Sequence, residues 1–476
     1  MRNLINSAVL IFAFLSLAGA THAHSALLSS KPAAEESVAT SPERVQLVFS
    51  VRVQHEISSI SLIGPDGEVQ TPGPLEATPD GKTVWVELAF HLPPGRYKVE
   101  WRALSADDHT IKGDFAFSVL PPAARSSFAD PPEPTPPDQD HSMMDHSSHI
   151  RQVGISWPES IARWFAYLGM LVFGGGLAFR LFVAAPSAGT GSELAAFDNA
   201  AIKGTVAAAG VFLAAACVAL ALQTVALFDV FSFTGAMAVI RDTTFGAPWA
   251  AQVAAAVVGI VFLLIASYTD EASRRKWFWA AFATSLVLFV ASGFTGHARA
   301  ASAEYALAAP SDWLHLAAAS VWVGGLVMIF TAVPRAVAVI DREAKPVVYS
   351  EYISRFNKLA IVSVLVLAAT GIYNSWIHVE SIAALFRTTY GQLLIAKVIL
   401  SMLMVVVGGL NAYVIHPRIR ASADGAENIL LRNVKLEVAL AAVVLLIAAL
   451  LAFLPPAREH LPVSAAQSRP AVRSLV

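Results

Sequence analysis

Residues 95–119 read GRYKVEWRALSADDHTIKGDFAFSV. Apolar Tyr97, Val99 and Trp101 alternate with charged Arg96, Lys98, Glu100 and Arg102, the period of two that puts one face of a strand in a core and the other in water. The segment from Ala106 to Thr110 is then a turn ahead of a last strand, DFAFSVL. Asp107 and His109 within it are two apart and point the same way. Upstream, the runs VQLVFSV, ISSISLIG and TVWVELAF alternate similarly, separated by the turn signals GPDGE, TPDGK and LPPG. This spacing predicts a small all-β Greek-key sandwich over residues 24–120.

The rest of the chain obeys different rules. It is 476 residues long, 55% hydrophobic and only 14% charged, too apolar for an ordinary soluble protein, so lipid is the solvent for much of it. After a Pro-, His- and Met-bearing linker over 121–155 come eight apolar segments: 157–184, 202–228, 248–268, 277–295, 312–333, 357–377, 391–415 and 434–454. They predict an all-α polytopic membrane domain over 156–455 and a C-terminal tail over 456–476. Loops bearing Arg274, Arg275, Lys276, Arg335, Arg342, Lys345, Arg418 and Arg420 fall on one side, and the opposite loops hold only Arg241, Arg299 and Arg387. Positive residues stay in the cytoplasm, so the sandwich and the C-terminus face the periplasm and the chain is a multi-pass inner-membrane protein.

The first 23 residues have a basic start at Arg2, an apolar stretch from Ala8 to Ala18 and small residues before a cut after Ala23, as in a secretory signal. Cleavage there makes His24 the first residue. A terminal histidine offers a metal its α-amine and its ring Nδ1 together, closing a chelate ring that no internal histidine can form. Cu(II) favours tetragonal nitrogen and oxygen coordination, which Asp107 and His109 are equipped to complete. An Asp-x-His turn also serves as a simple capping arrangement, and by spacing alone both readings stand. Cys217 is the only cysteine, which excludes a disulfide framework or a thiolate cluster within one chain. A net charge of −2 gives no basic surface for nucleic acid.

HSALLSSKPA, SPERVQLVFS and the 95–119 stretch together resemble the CopC family across residues 24–120. The resemblance implies that the mature N-terminal histidine and the acid and histidine of a D-G-H turn bind Cu(II); by motif these are His24, Asp107 and His109. The turn here is Asp-Asp-His, so Asp107 and Asp108 both remain candidates, with Asp107 favoured. The methionine-rich Cu(I) site of some members has no counterpart, since residues 24–120 contain no methionine. The segments WLHLAAASVWVGGL, LAATGIYNSW and YGQLLIAKVILSMLMVVVGGLNAY resemble the CopD family. A CopC-like domain ahead of a CopD-like domain is similar to the fused copper proteins of the YcnJ type, and implies copper import and homeostasis with copper as cargo. It leaves copper resistance or sensing without import as alternatives.

Two further groups suit copper. The linker's HSMMDHSSH places His141, Met143, Met144, His146 and His149 just before the first span, as a relay from sandwich to membrane. His297 ends the fourth span and Asp312 and His315 open the fifth; Asp312, His315 and Trp322 share a helix face, so His297 and His315 can meet at the periplasmic end. Asn374, Lys397 and Asn411 read as groups that snorkel or bond between helices, and His55 and His91 as surface histidines. The one Gly-Lys-Thr, at Gly81–Thr83, has Glu76 where a phosphate loop needs its first glycine, so no ATP partner is expected. Expected partners are a copper ion and the lipid bilayer, with periplasmic copper chaperones as candidates. No enzymatic activity is expected. A haem-dependent cupric reductase is disfavoured because His297, His315 and His378 all lie at one membrane face, and an oxygen-activating terminal-histidine site because Asp107 would fill an equatorial position.

Overall fold

In the computed structural model the described residues are 27–70, 72–105, 110–121, 156–187, 191–294, 308–379 and 381–454. They form two compact units: one holds the sandwich together with residues 220–247, the other the remaining helices. The signal segment, the linker stretch 122–155 and the tail beyond 454 lie outside the described residues.

Among the described residues the sandwich has nine strands. One sheet orders β1 (Leu27–Lys31), β3 (Arg44–Phe49), β7 (Thr83–Glu87) and β6 (Glu76–Ala77) as β1-β3-β7-β6. The other orders β2 (Ser37–Val38), β9 (Thr110–Val119), β8 (Gly95–Leu104), β4 (Ser59–Ile63) and β5 (Val69–Gln70) as β2-β9-β8-β4-β5. The chain changes sheets at β1–β2, β2–β3, β3–β4, β5–β6 and β7–β8, the crossings of a Greek-key sandwich. Tyr97, Val99, Trp101 and Ala103 turn inward from β8, and Phe115, Phe117 and Val119 from β9. Trp101 meets Phe49 of the facing sheet edge to face at 5.3 Å, and Tyr97 stacks on Phe117 at 5.6 Å. Each such buried aromatic contributes about 2 kcal/mol or more. The Tyr97 hydroxyl donates to Pro93 O at 2.8 Å, so its one polar atom is satisfied.

The last strand begins at Thr110, four residues before Asp114, where the sequence reading starts it. Gly113, within this strand, lies in register with Trp101. A Cβ there would stand 2.6 Å from the indole, so the glycine makes room for the ring rather than bending the chain.

Long helices follow: α1 (Trp157–Ser187), α2 (Gly191–Phe228), the short α3 (Phe233–Asp242), α4 (Gly246–Ser267), α5 (Glu271–Ser292), α6 (Ala308–Ala338), α7 (Lys345–His378), the short α8 (Ile382–Arg387), α9 (Thr389–Arg420) and α10 (Ala426–Leu451). They cover all eight apolar segments. Seven are long and apolar enough to cross a bilayer. The eighth, α5, misses that measure because Arg274, Arg275 and Lys276 occupy its opening turns.

In lipid no hydrophobic force drives helix against helix, so close packing by small residues has to do it. Gly174, Gly175 and Gly176 of α1 face Ser320, Gly324 and Met328 of α6 and Thr205 of α2. A Cβ on Gly175 would fall 1.9 Å from Ser320 O, and Ser320 Oγ donates to Leu171 O at 2.8 Å. Two polar clusters lie among these helices. Arg180 pairs with Asp198, which Arg274 also approaches at 3.5 Å. Asn411 bonds between helices, as expected for it: it donates to Glu437 at 2.6 Å and accepts from Asn433 at 2.8 Å. Buried charges are costly unless partnered, yet Arg180 Nη1 and Glu437 Oε2 have no hydrogen-bond partner among the described residues.

Replacing Gly175 by leucine forces α1 from α6. Thermal unfolding in detergent should show a loss of at least ~3 kcal/mol, whereas Gly210→Leu, whose Cβ would meet nothing within 4 Å, should leave the transition nearly unmoved.

Candidate functional site

Two places gather the residues picked out above. The first is one end of the sandwich. Leu27, at the start of β1, pairs with Phe49 at the end of β3. Four residues on, Val53 bridges to Ser105, just past the end of β8. Gln54 N donates to Leu104 O at 2.8 Å, and its side-chain Nε2 donates to Ser105 O at 3.1 Å. Leu104 N in turn donates to Ser58 Oγ at 3.1 Å. The first described residue of β1 and the two strand ends flanking residues 106–109 are therefore held at the same end. His24, Asp107, Asp108 and His109 themselves lie outside the described residues, as do His141, Met143, Met144, His146, His149 and His297. His91 is exposed, and His55 lies 3.5 Å from Glu56 in a short surface turn, as surface histidines should.

The second place is where α6, α7 and α9 approach one another near the start of α6. Asn374 Nδ2 donates to Asp312 Oδ1 at 2.8 Å, while Ser311 Oγ donates to Asn374 Oδ1 at 2.7 Å. Lys397 of α9 lies within electrostatic reach of both Asp312 and His315. His315 Nδ1 is 2.8 Å from Thr370 Oγ1.

A threonine hydroxyl has one proton, and the Thr370 hydroxyl also lies 2.7 Å from Val366 O. Where Thr370 gives that proton to Val366 O it accepts from His315, which places the ring hydrogen on Nδ1 and the lone pair on Nε2. Trp322 on the same face is buried among α1 and α7 side chains, so the shared face of Asp312, His315 and Trp322 is realised. Asn374 bonds between helices, as expected for it. The sequence reading missed Thr370 and Ser311, because hydroxyl residues in an apolar run carry no signal until the facing helix is known. It also missed Arg180 and Glu437, which did carry one: each is an ionisable residue inside a spanning segment.

Known proteins match each part of this arrangement. The CopC domain family matches residues 27–120, the copper resistance protein D-like N-terminal domain residues 155–307, and copper resistance protein D residues 350–451. The copper resistance protein C of Escherichia coli is 34% identical over 125 residues, 25% of this chain and 98% of that protein. The chain belongs to the CopC–CopD family. The copper transport protein CutJ of Bacillus subtilis (strain 168) is 25% identical over 460 residues, 95% of this chain and 78% of that one. The inner membrane protein YebZ of Escherichia coli (strain K12) is 31% identical over 229 residues, 48% of this chain and 74% of YebZ. Sandwich and helices are thus the two halves of one membrane protein of the copper transport and resistance group, which exist in relatives as separate chains.

The tautomer assignment is open to direct measurement. Nitrogen-15 NMR of the His315 ring should show a protonated Nδ1 and a free Nε2; Thr370→Ser should keep that pattern and Thr370→Val should lose it.

Proposed function

We propose that this protein captures Cu(II) at its periplasmic N-terminus and delivers copper into or across the inner membrane, acting in import and homeostasis. The observation that carries this reading is the strand register: Leu27↔Phe49 and Val53↔Ser105 hold the chain just after His24 and the ends of the 106–109 turn at one end of the sandwich. His24 then supplies an amine and an imidazole nitrogen, His109 a second imidazole and Asp107 a carboxylate, a donor set suited to Cu(II). Asp108 is the alternative carboxylate.

Delivery runs through the linker ligands His141, Met143, Met144, His146 and His149 to an acceptor at the periplasmic membrane face. His315 supplies an open Nε2 there, with His297 as second imidazole and Asp312 as nearby charge. The positive-inside distribution of Arg and Lys supports a periplasmic sandwich. Periplasmic copper chaperones fit as donors to the N-terminal site. No step requires chemistry beyond ligand exchange, so the protein acts as a carrier rather than an enzyme.

Cells in copper-limited medium test the direction. The intact chain should raise cellular copper, and His24→Ala, with signal cleavage verified, should abolish the rise. Copper lowered by the intact chain would make it a resistance component, and copper unchanged in both would contradict transport.

A further inference from the structure

Residues 220–247 belong to the same compact unit as the sandwich. They comprise the end of α2 and the segment leading through α3 to α4. Three kinds of contact join them to it. Arg102 reaches out from the solvent face of β8, opposite buried Trp101 and Ala103, and its guanidinium donates to Leu227 O and to Asp229. Lys112 of β9 lies 3.8 Å from the same carboxylate. Two cations on adjacent strands therefore meet one anion just past the end of α2. Asp229 adopts a left-handed backbone, φ 61°, a conformation Asp tolerates better than most residues. The Arg102 hydrogen bond holds its carboxyl below the ordinary range, so it is charged at neutral pH.

Second, Gln54 uses both ends of its amide on one residue. Its Nε2 donates to Thr244 Oγ1 at 2.9 Å, and its Oε1 accepts from Thr244 N at 3.0 Å. The same Nε2 donates to Ser105 O, so one side chain ties Thr244 to the end of β8. Third, Leu104, fully buried, leaves the sandwich core to pack with Leu227 and Val239, with Ile57 and Phe245 against them. A charge pair, a two-point amide pair and an apolar centre are the marks of a built interface rather than of a loop resting on a surface.

We propose that the segment 227–244 is a built-in receptor for the sandwich, read by Gln54, Arg102, Lys112 and Leu104, and that copper is handed on from this docked state. The inference rests on the delivery reading for its second half only. It holds the sandwich to residues 227–244 as well as to the linker, so that transfer is set by docking as well as by the linker's ligands. Gln54 is a positioning residue here. It binds no copper, but it joins the receptor to the strand end that leads into the Asp107–His109 turn.

The test uses the full chain in membranes and two readouts. Hydrogen exchange at the Thr244 amide reports docking, because its acceptor is Gln54 Oε1. Gln54→Ala should speed that exchange by about fivefold or more, the value of one lost hydrogen bond. Arg102→Glu should do the same by repelling Asp229, and the double exchange Arg102→Glu with Asp229→Arg should recover the larger part. In cells, the single variants should lose most copper accumulation and the double exchange should regain it, while the Cu(II) affinity of the purified chains stays within about twofold of the parent. Thr244 exchange unchanged in Gln54→Ala would overturn the receptor itself. Faster exchange with full copper accumulation would overturn delivery from the docked state. A parent chain with Thr244 protected but no copper accumulation would instead overturn the delivery reading, and with it the second half of the inference.

Discussion

A polar group inside a bilayer has no water to fall back on, so a charge or donor that the helices carry is costly unless it finds a partner within the protein. The rest of the membrane domain is arranged around that demand. Arg180 is matched by Asp198, Glu437 by Asn411, Asp312 by Asn374, and Ser320 by the carbonyl of Leu171. The Ser320–Leu171 contact needs α1 and α6 closer than bulky side chains permit, and Gly175 against Gly324 supplies the approach. His315 is an instructive case: its Nδ1 lies against the Thr370 hydroxyl, which also reaches Val366 O of its own helix.

The sandwich works under the opposite condition, with water available on its outer faces. Its stability comes from aromatic packing between sheets, and its outward strand faces are free for recognition. Arg102 and Lys112 use that freedom toward residues 227–244 from the strands whose inner faces hold Trp101 and Phe115, and Gln54 joins them from the segment between β3 and β4. One pair of strands thus builds the core, flanks residues 106–109 and meets residues 227–244.

The architecture was legible where its periodicity was strong. The alternation from Arg96 to Leu104 and the eight apolar runs read directly as strands and helices. What escaped had weak local signals. β1, LLSSK, is a half-exposed edge strand without alternation, and α3 is a short amphipathic helix capped by Ser232 between two spans. The reason for Gly113, the Trp101 ring, lies on the neighbouring strand. Of the candidate ligands, His315 was placed on the right face, but its tautomer depends on Thr370, 55 residues away. The Gln54–Thr244 pair spans 190 positions, a separation at which no pattern in the chain announces contact.

The account turns on a chelate that only a free terminal histidine can form. Electron paramagnetic resonance and affinity measurements of the Cu(II)-loaded processed chain, beside one carrying a single extra residue ahead of His24, address it most directly. The account predicts a tetragonal, nitrogen-rich spectrum for the processed chain, and an altered spectrum with at least about tenfold weaker binding, ~1.4 kcal/mol, for the extended one. Identical spectra and affinities would contradict it.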